Sequence, residues 1–170
     1  MVETTLPFDS RFQGGLLYLL ASDYDFLRNV LPEFHSKYLD AGEAHIKLFK
    51  LINAVWTKTK KPLTVNILKN SILALKEKGV YSEGDSFGMN NILDAGKLLA
   101  PSEYEYIKEN VYNFLKHQSM ALAFSESLDF YEKKDYDTVY HLMSKAYKRT
   151  FGMENSLGLD YMNEPIHDKY

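Results

Sequence analysis

The chain contains no cysteine, which removes a disulfide framework, a thiolate metal site and a cysteine nucleophile together. It has no apolar run near the ~20 residues that a membrane-spanning helix needs. Its first residues, MVETTLPFDS, lack the basic and apolar regions of a signal peptide, and a cytoplasmic protein is expected. Arginine is confined to Arg11, Arg28 and Arg149, a poor supply for dedicated base or phosphate recognition. Strand signals are nearly absent. There is no apolar–polar alternation bounded by hairpin turns, and no repeat with a period of 20 to 50 residues. An all-α fold is the remaining class: a compact bundle of about five helices over residues 1–100, a long antiparallel helical hairpin over 101–152 in the same domain, and a linker over 153–170.

What is present fits that class. A chain of 170 residues is one domain, or one domain with an appended element, and buries roughly 70% of the surface its unfolded form exposes. The net charge of −3 hides an asymmetry. Residues 43–78 hold eight lysines against Glu43 and Glu77, whereas residues 79–110 hold six carboxylates against Lys97 and Lys108. Such bipolarity suits docking between protein subunits, and Lys47, Lys50, Lys58, Lys60 and Lys61 could also form a nucleic-acid face, although lysines on solvated helix faces are the commoner case.

Apolar spacing and capping residues place the helices. Asp9 or Ser10 caps a first helix over 11–21 with Phe12, Leu16, Leu19 and Leu20 on one face. Gly14 and Gly15 inside it cost up to ~1 kcal/mol each relative to alanine, which predicts the close approach of another backbone. Ser22 or Asp23 caps a short helix over 24–31, stopped by Pro32. A third helix over 41–58 carries His45, Leu48, Phe49, Ile52, Val55 and Trp56. Thr64 caps a fourth reaching Lys78, with Ile67, Leu68, Ile72 and Leu75 inward and Gly79 closing it. A fifth covers 87–99 and is ended by Pro101, after which Ser102 and Glu105 read as a capping box. The sixth runs over 103–133, and Lys133-Lys134-Asp135 turns the chain into a seventh over 136–151. So short a connection predicts an antiparallel hairpin. A 31-residue helix spans roughly 45 Å, more than a compact body of this size covers, so part of the hairpin should protrude and need a partner. Tyr112, Leu115, Leu122, Tyr136, Val139, Tyr140, Met143 and Tyr147 are the candidate contacts between copies. Beyond Phe151-Gly152 the sequence reads as an uncapped tail whose Leu157, Leu159, Tyr161 and Met162 should dock on a neighbouring domain.

Catalytic motifs do not appear. The Gly96-Lys97 pair is followed by Leu98, so there is no GxxxxGK[ST] phosphate loop, and GxGxxG and GxSxG are missing. His35, His45, His117, His141 and His167 lack zinc-ligand spacing. His45 falls on an apolar stripe and reads as a core or boundary histidine. No catalytic, cofactor-binding or metal-ligating residue is assigned, and a non-enzymatic chain is expected. Thirteen tyrosines could offer stacking platforms, but those of the hairpin fall at helical spacing and suit a protein interface better.

The order of motifs resembles a known family. Phe12-Gln13-Gly14-Gly15-Leu16-Leu17 is similar to the first helix of the N-terminal domain of DnaB-type hexameric replicative helicases, particularly phage members. Ser22-Asp23-Tyr24-Asp25-Phe26-Leu27, then His45-Ile46-Lys47-Leu48-Phe49 with Ile52, then Lys61-Pro62-Leu63-Thr64 with Leu68, follow in that family's order. The hairpin resembles its hairpin, and Leu157-Gly158-Leu159-Asp160-Tyr161 resembles its linker toward the ATPase domain. The likeness covers residues 8–162. The longer, more acidic stretch over 81–91 and the scarcity of arginine depart from the pattern. The resemblance implies a non-catalytic collar of a DNA-replication helicase in a bacterial or phage-infected cytoplasm. Its hairpins would pair two-fold into dimers or a trimer of dimers, and it would recruit a primase or helicase loader. It would contact DNA only indirectly, with ATP and Mg confined to a motor domain beyond these residues. Two other readings stand beside it: a nucleic-acid-binding helical module using the basic face of residues 47–78, and a stand-alone helical adaptor.

Overall fold

In the computed structural model the backbone is described for residues 8–162 and side chains for 8–149. The described residues are helical throughout, with no strand among them. They comprise α1 (Ser10–Ser22), α2 (Tyr24–Val30), two single 3-10 turns at Leu31–Glu33 and Ser36–Tyr38, α3 (Glu43–Thr59), α4 (Val65–Glu77), α5 (Glu83–Lys97), α6 (Pro101–Glu132) and α7 (Tyr136–Met162). The chain divides into two compact units, Met1–Val111 and Tyr112–Tyr170. The division falls inside α6 rather than at the expected bundle–hairpin boundary at residue 100.

In the first unit, local chemistry sets the helix starts. The Asp9 carboxylate accepts from Phe12 N at 2.9 Å and that of Asp23 from Phe26 N at 3.1 Å, and the Thr64 hydroxyl accepts from Ile67 N at 3.2 Å. Each satisfies a backbone donor that the first helical turn leaves unpaired. α5 begins at Glu83, four residues before the expected start. The reason is a reciprocal cap: the Ser82 hydroxyl accepts from Asp85 N, and the Asp85 carboxylate accepts from Ser82 N. Pro101 does not merely end α5. It opens α6, where Glu103 rather than Glu105 reaches back to Ala100 N at 2.8 Å. α4 stops at a Schellman turn, with Gly79 at φ +74°, its N–H on Lys76 O and Val80 N on Leu75 O.

α1 is the hub, packed on α2, α3, α4 and α5. Leu16, Leu17 and Leu20 are fully buried, as are Leu48, Ile52, Leu68, Ile72, Met89 and Leu93 from the surrounding helices. Removing each such side chain from water contributes roughly 1.5–3 kcal/mol. Ile67, expected inward, is exposed, because only the Leu68–Ile72 line of α4 meets the core. Val55 and Trp56 are half-buried.

Glycines tighten this packing, though not as expected. A Cβ on Gly14 would lie 3.6 Å from Ile92 and 3.7 Å from His45, and one on Gly15 would fall within 2.6 Å of Leu99 and Ile107. The close neighbours of this pair are therefore side chains, not a backbone. At the crossing of α1 and α5, Tyr18 lies directly over Gly96, and a Cβ there would overlap its ring. Buried Gln13 ties α1 to the segment before α3. Its amide donates to Phe8 O and Asp40 Oδ1 and accepts from Asp40 N and Ala41 N.

In the second unit, α6 passes into α7 through residues 133–135. This turn is another Schellman closure, with Asp135 N on Phe130 O and Lys134 N on Tyr131 O. Here a lysine, Lys134, holds the left-handed position at φ +60°. Asp135 then caps α7, accepting from Thr138 N at 3.1 Å and from the Thr138 hydroxyl at 2.7 Å. α7 does not end at Phe151. It continues to Met162, because no proline interrupts the chain before Pro165 and the two glycines within it, Gly152 and Gly158, only weaken a helix.

Candidate interaction surfaces

The hairpin places its apolar residues in an unusual way. Beyond Phe114 and Leu115, the buried positions of α6 are Ser119, Ala123 and Ser127, at four-residue spacing, and among the described side chains of α7 Ala146 is buried. Small residues at such positions let helices approach closely. The large apolar side chains lie outside. Phe124, Leu128 and Tyr131 on α6 are all at least 60% exposed, and Tyr140 on α7 is 75% exposed. Phe124, Leu128 and Tyr131, with Val139 and Met143 from α7, line a shallow groove of about 360 Å³. At the turn, Tyr131 and Tyr136 meet edge to face at 5.9 Å.

The expected contact residues distribute unevenly over this surface. Tyr136, Tyr140 and Tyr147 are exposed, and Val139 and Met143 are half-buried at the groove. Tyr112 and Leu122 are half-buried, and Leu115 is fully buried, so Leu115 belongs to the interior of the chain. Tyr131 is one of the hairpin tyrosines that the sequence assigns to a protein interface. Phe124 and Leu128 are not singled out as contacts there, although the i, i+4, i+7 spacing of the three marks one stripe. Of the docking residues expected in the tail, Leu157, Leu159, Tyr161 and Met162 lie on the α7 backbone rather than in an irregular linker. Their side chains, and residues 163–170 altogether, fall outside the described residues.

The basic stretch is partly neutralised from within its own unit. Lys47 Nζ lies 2.7 Å from Asp85 Oδ1, Lys69 pairs with Asp94, and Lys76 pairs with Glu83. The carboxylates of α5 are thus the counter-charges of α3 and α4. The Lys47 ammonium, with the capping bonds from Ser82, holds the Asp85 carboxyl down at about 2, and Asp85 in turn raises Lys47. Lys50, Lys58, Lys60 and Lys61 remain exposed, with Lys60 Nζ 5.4 Å from the Trp56 ring centre.

A cleft of about 520 Å³ runs between α1 and α5, lined by Asp9, Arg11, Gly14, His45, Asn91 and Gly96 among others. His45 is buried, and burial lowers its pKa against a hydrogen bond to the Ser10 backbone that raises it. Arg11 is held 2.6 Å from Glu103. The Tyr104 hydroxyl donates to Gly96 O at 2.7 Å while its ring stacks on Tyr18, so this tyrosine is structural. His35 caps the turn at Ser36–Tyr38, and His117 and His141 are exposed; His167 lies outside the described residues. Among the described residues no group of three or more His, Asp or Glu could hold a metal ion, and no helix is long and apolar enough to cross a membrane.

Comparison with known proteins adds no relative: no family model, no curated protein and no solved structure matches the chain.

Proposed function

We propose that this chain is a non-catalytic assembly domain, the N-terminal collar of a DnaB-type replicative DNA helicase. On this reading it joins copies of itself through the hairpin and docks a primase or helicase loader. The observation that carries the reading is the stripe of Phe124, Leu128, Tyr131, Tyr136 and Tyr140, exposed in the single chain beside a groove between α6 and α7. A soluble chain rarely presents a contiguous apolar surface of this kind without a partner for it. The order of the Gly14-Gly15 helix, the Asp23-capped helix, the His45 helix, the Thr64-capped helix and the hairpin supplies the further, family-level support. The basic-face alternative is narrowed: over residues 47–78, Lys47, Lys69 and Lys76 have carboxylate partners, and the surplus is left toward the end of α3.

The reading frame beyond codon 170 tests the helicase assignment. The proposal expects a strand followed by GxxxxGK[ST] downstream of the hairpin. A stop codon at position 171 would overturn the collar and leave a free-standing helical adaptor.

A further inference from the structure

Three observations meet at the end of α3. Tyr24 of α2 and Trp56 of α3 pack edge to face with ring centres 5.7 Å apart, and both are half-buried. Each ring carries a cation, with Arg28 5.9 Å from the centre of Tyr24 and Lys60 5.4 Å from that of Trp56. Lys60 holds the left-handed conformation at φ +52°, its N–H bonding Trp56 O at 2.8 Å, in a position glycine would fill at less cost.

Charge sets this end apart from the rest of the basic stretch. Residues 51–61 contain Lys58, Lys60 and Lys61 and no carboxylate. Lys47, Lys69 and Lys76 have acidic partners, but Lys58, Lys60 and Lys61 have no ion pair among the described residues. Arg28 is offset by Asp25 at 3.7 Å. A helix C-terminus carries the equivalent of roughly half a negative charge, which one lysine offsets. Three lysines leave a positive surplus beside the chain's one tryptophan.

We infer that this aromatic and cationic end of α3 binds single-stranded nucleic acid, a base stacking on Trp56 and the phosphates lying against Lys58, Lys60 and Lys61. The Lys60 ammonium leaves the indole face for a phosphate as the base takes its place. An acidic polypeptide would satisfy the lysines but has no π-face to exchange for the ammonium on the ring. Binding is tolerant of sequence, since every base stacks and the Arg28 guanidinium is already beside Asp25. The inference does not depend on the helicase reading.

Anisotropy of a fluorescein-labelled oligothymidylate of about 15 nucleotides, a length spanning one binding site, tests it on the full chain at about 50 mM salt, where phosphate contacts are strongest. Trp56→Leu should weaken binding roughly ten- to hundred-fold, and Trp56→Phe should restore most of it. The double change Lys60→Gln, Lys61→Gln should make the salt dependence shallower by about 0.7 per lost phosphate contact, while Lys69→Gln should leave binding unchanged. Helical circular dichroism confirms that each variant is folded. Absence of binding at low salt, or wild-type affinity in Trp56→Leu, would overturn the inference. Equal competition by polyglutamate would overturn it in favour of an acidic polypeptide partner.

Discussion

The bundle and the hairpin draw on the same residue types and place them differently, although the bundle too leaves Leu73, Val80, Phe87 and Leu98 exposed, and these scatter over several elements instead of lining one groove. In the first unit Leu16, Leu17, Leu20, Leu48 and Leu93 are sealed inside, and glycines sit where helices and side chains come closest. In the second unit the buried positions of the α6 segment nearest the turn are serine and alanine, and the large side chains Phe124, Leu128, Tyr131 and Tyr140 stay outside. The first arrangement stabilises a single chain. The second keeps apolar surface in water, where it stabilises something only once covered. The difference teaches that helical periodicity locates a helix's apolar face but does not say whether that face is an interior or an interface.

The sharpest way to break the comparison is to remove the same side chain from each region. Leu20→Ala should cost about 2–5 kcal/mol, the transfer term plus the cavity left behind. Leu128→Ala, at 62% exposure, should change the unfolding free energy of the dilute chain by no more than about 0.5 kcal/mol. Chemical denaturation of both variants checks this, and comparable losses would mean that the hairpin stripe is packed. A smaller effect is expected of Gly96→Ala. The added Cβ overlaps Tyr18, and overpacking of this kind costs about 1–3 kcal/mol.

The smallest effect is electrostatic and belongs to the bundle. Asp85 titrates at about 2, below its ordinary 3.8, because Lys47 and the Ser82 cap favour its charged form. The unfolded chain therefore takes up this proton first as acid is added. The carboxylate's contribution is complete above pH ~4 and is lost as pH falls from about 4 toward 2. Asp85→Asn should remove that part of the acid dependence, seen as a smaller drop in melting temperature between pH 5 and pH 3. An unchanged acid profile would show that the Lys47–Asp85 pair does not couple to folding.

Much of the fold was legible because its signals are local. Asp9, Asp23, Thr64 and Gly79 announce helix ends through hydrogen bonds to backbone groups within a few residues. The early start of α5 is equally local, written in Ser82 and Asp85, but apolar spacing alone begins the helix only at Phe87. The sequence ends the seventh helix at Phe151-Gly152, because apolar periodicity fades beyond it, whereas the helix tolerates Gly152 and continues. The interaction surfaces were less legible because they depend on distant partners. No spacing rule tells that Lys47 finds Asp85, that Leu115 is sealed, or that Leu128 is left outside. Sequence alone drew one basic face where the structure divides it into a neutralised part and the Trp56 end.

The central claim is that the hairpin stripe is a pairing surface, and sedimentation equilibrium of the full chain tests it most directly. The account predicts a mass above the 19.7 kDa of one chain at micromolar concentration, falling to that of the monomer in Tyr140→Glu and in Val139→Asp with Met143→Asp. Tyr140→Glu separates association from folding, because its side chain is 75% exposed and the variant should keep its helical circular dichroism. A wild-type chain that stays monomeric, or an assembly of unchanged mass in these folded variants, would contradict the account.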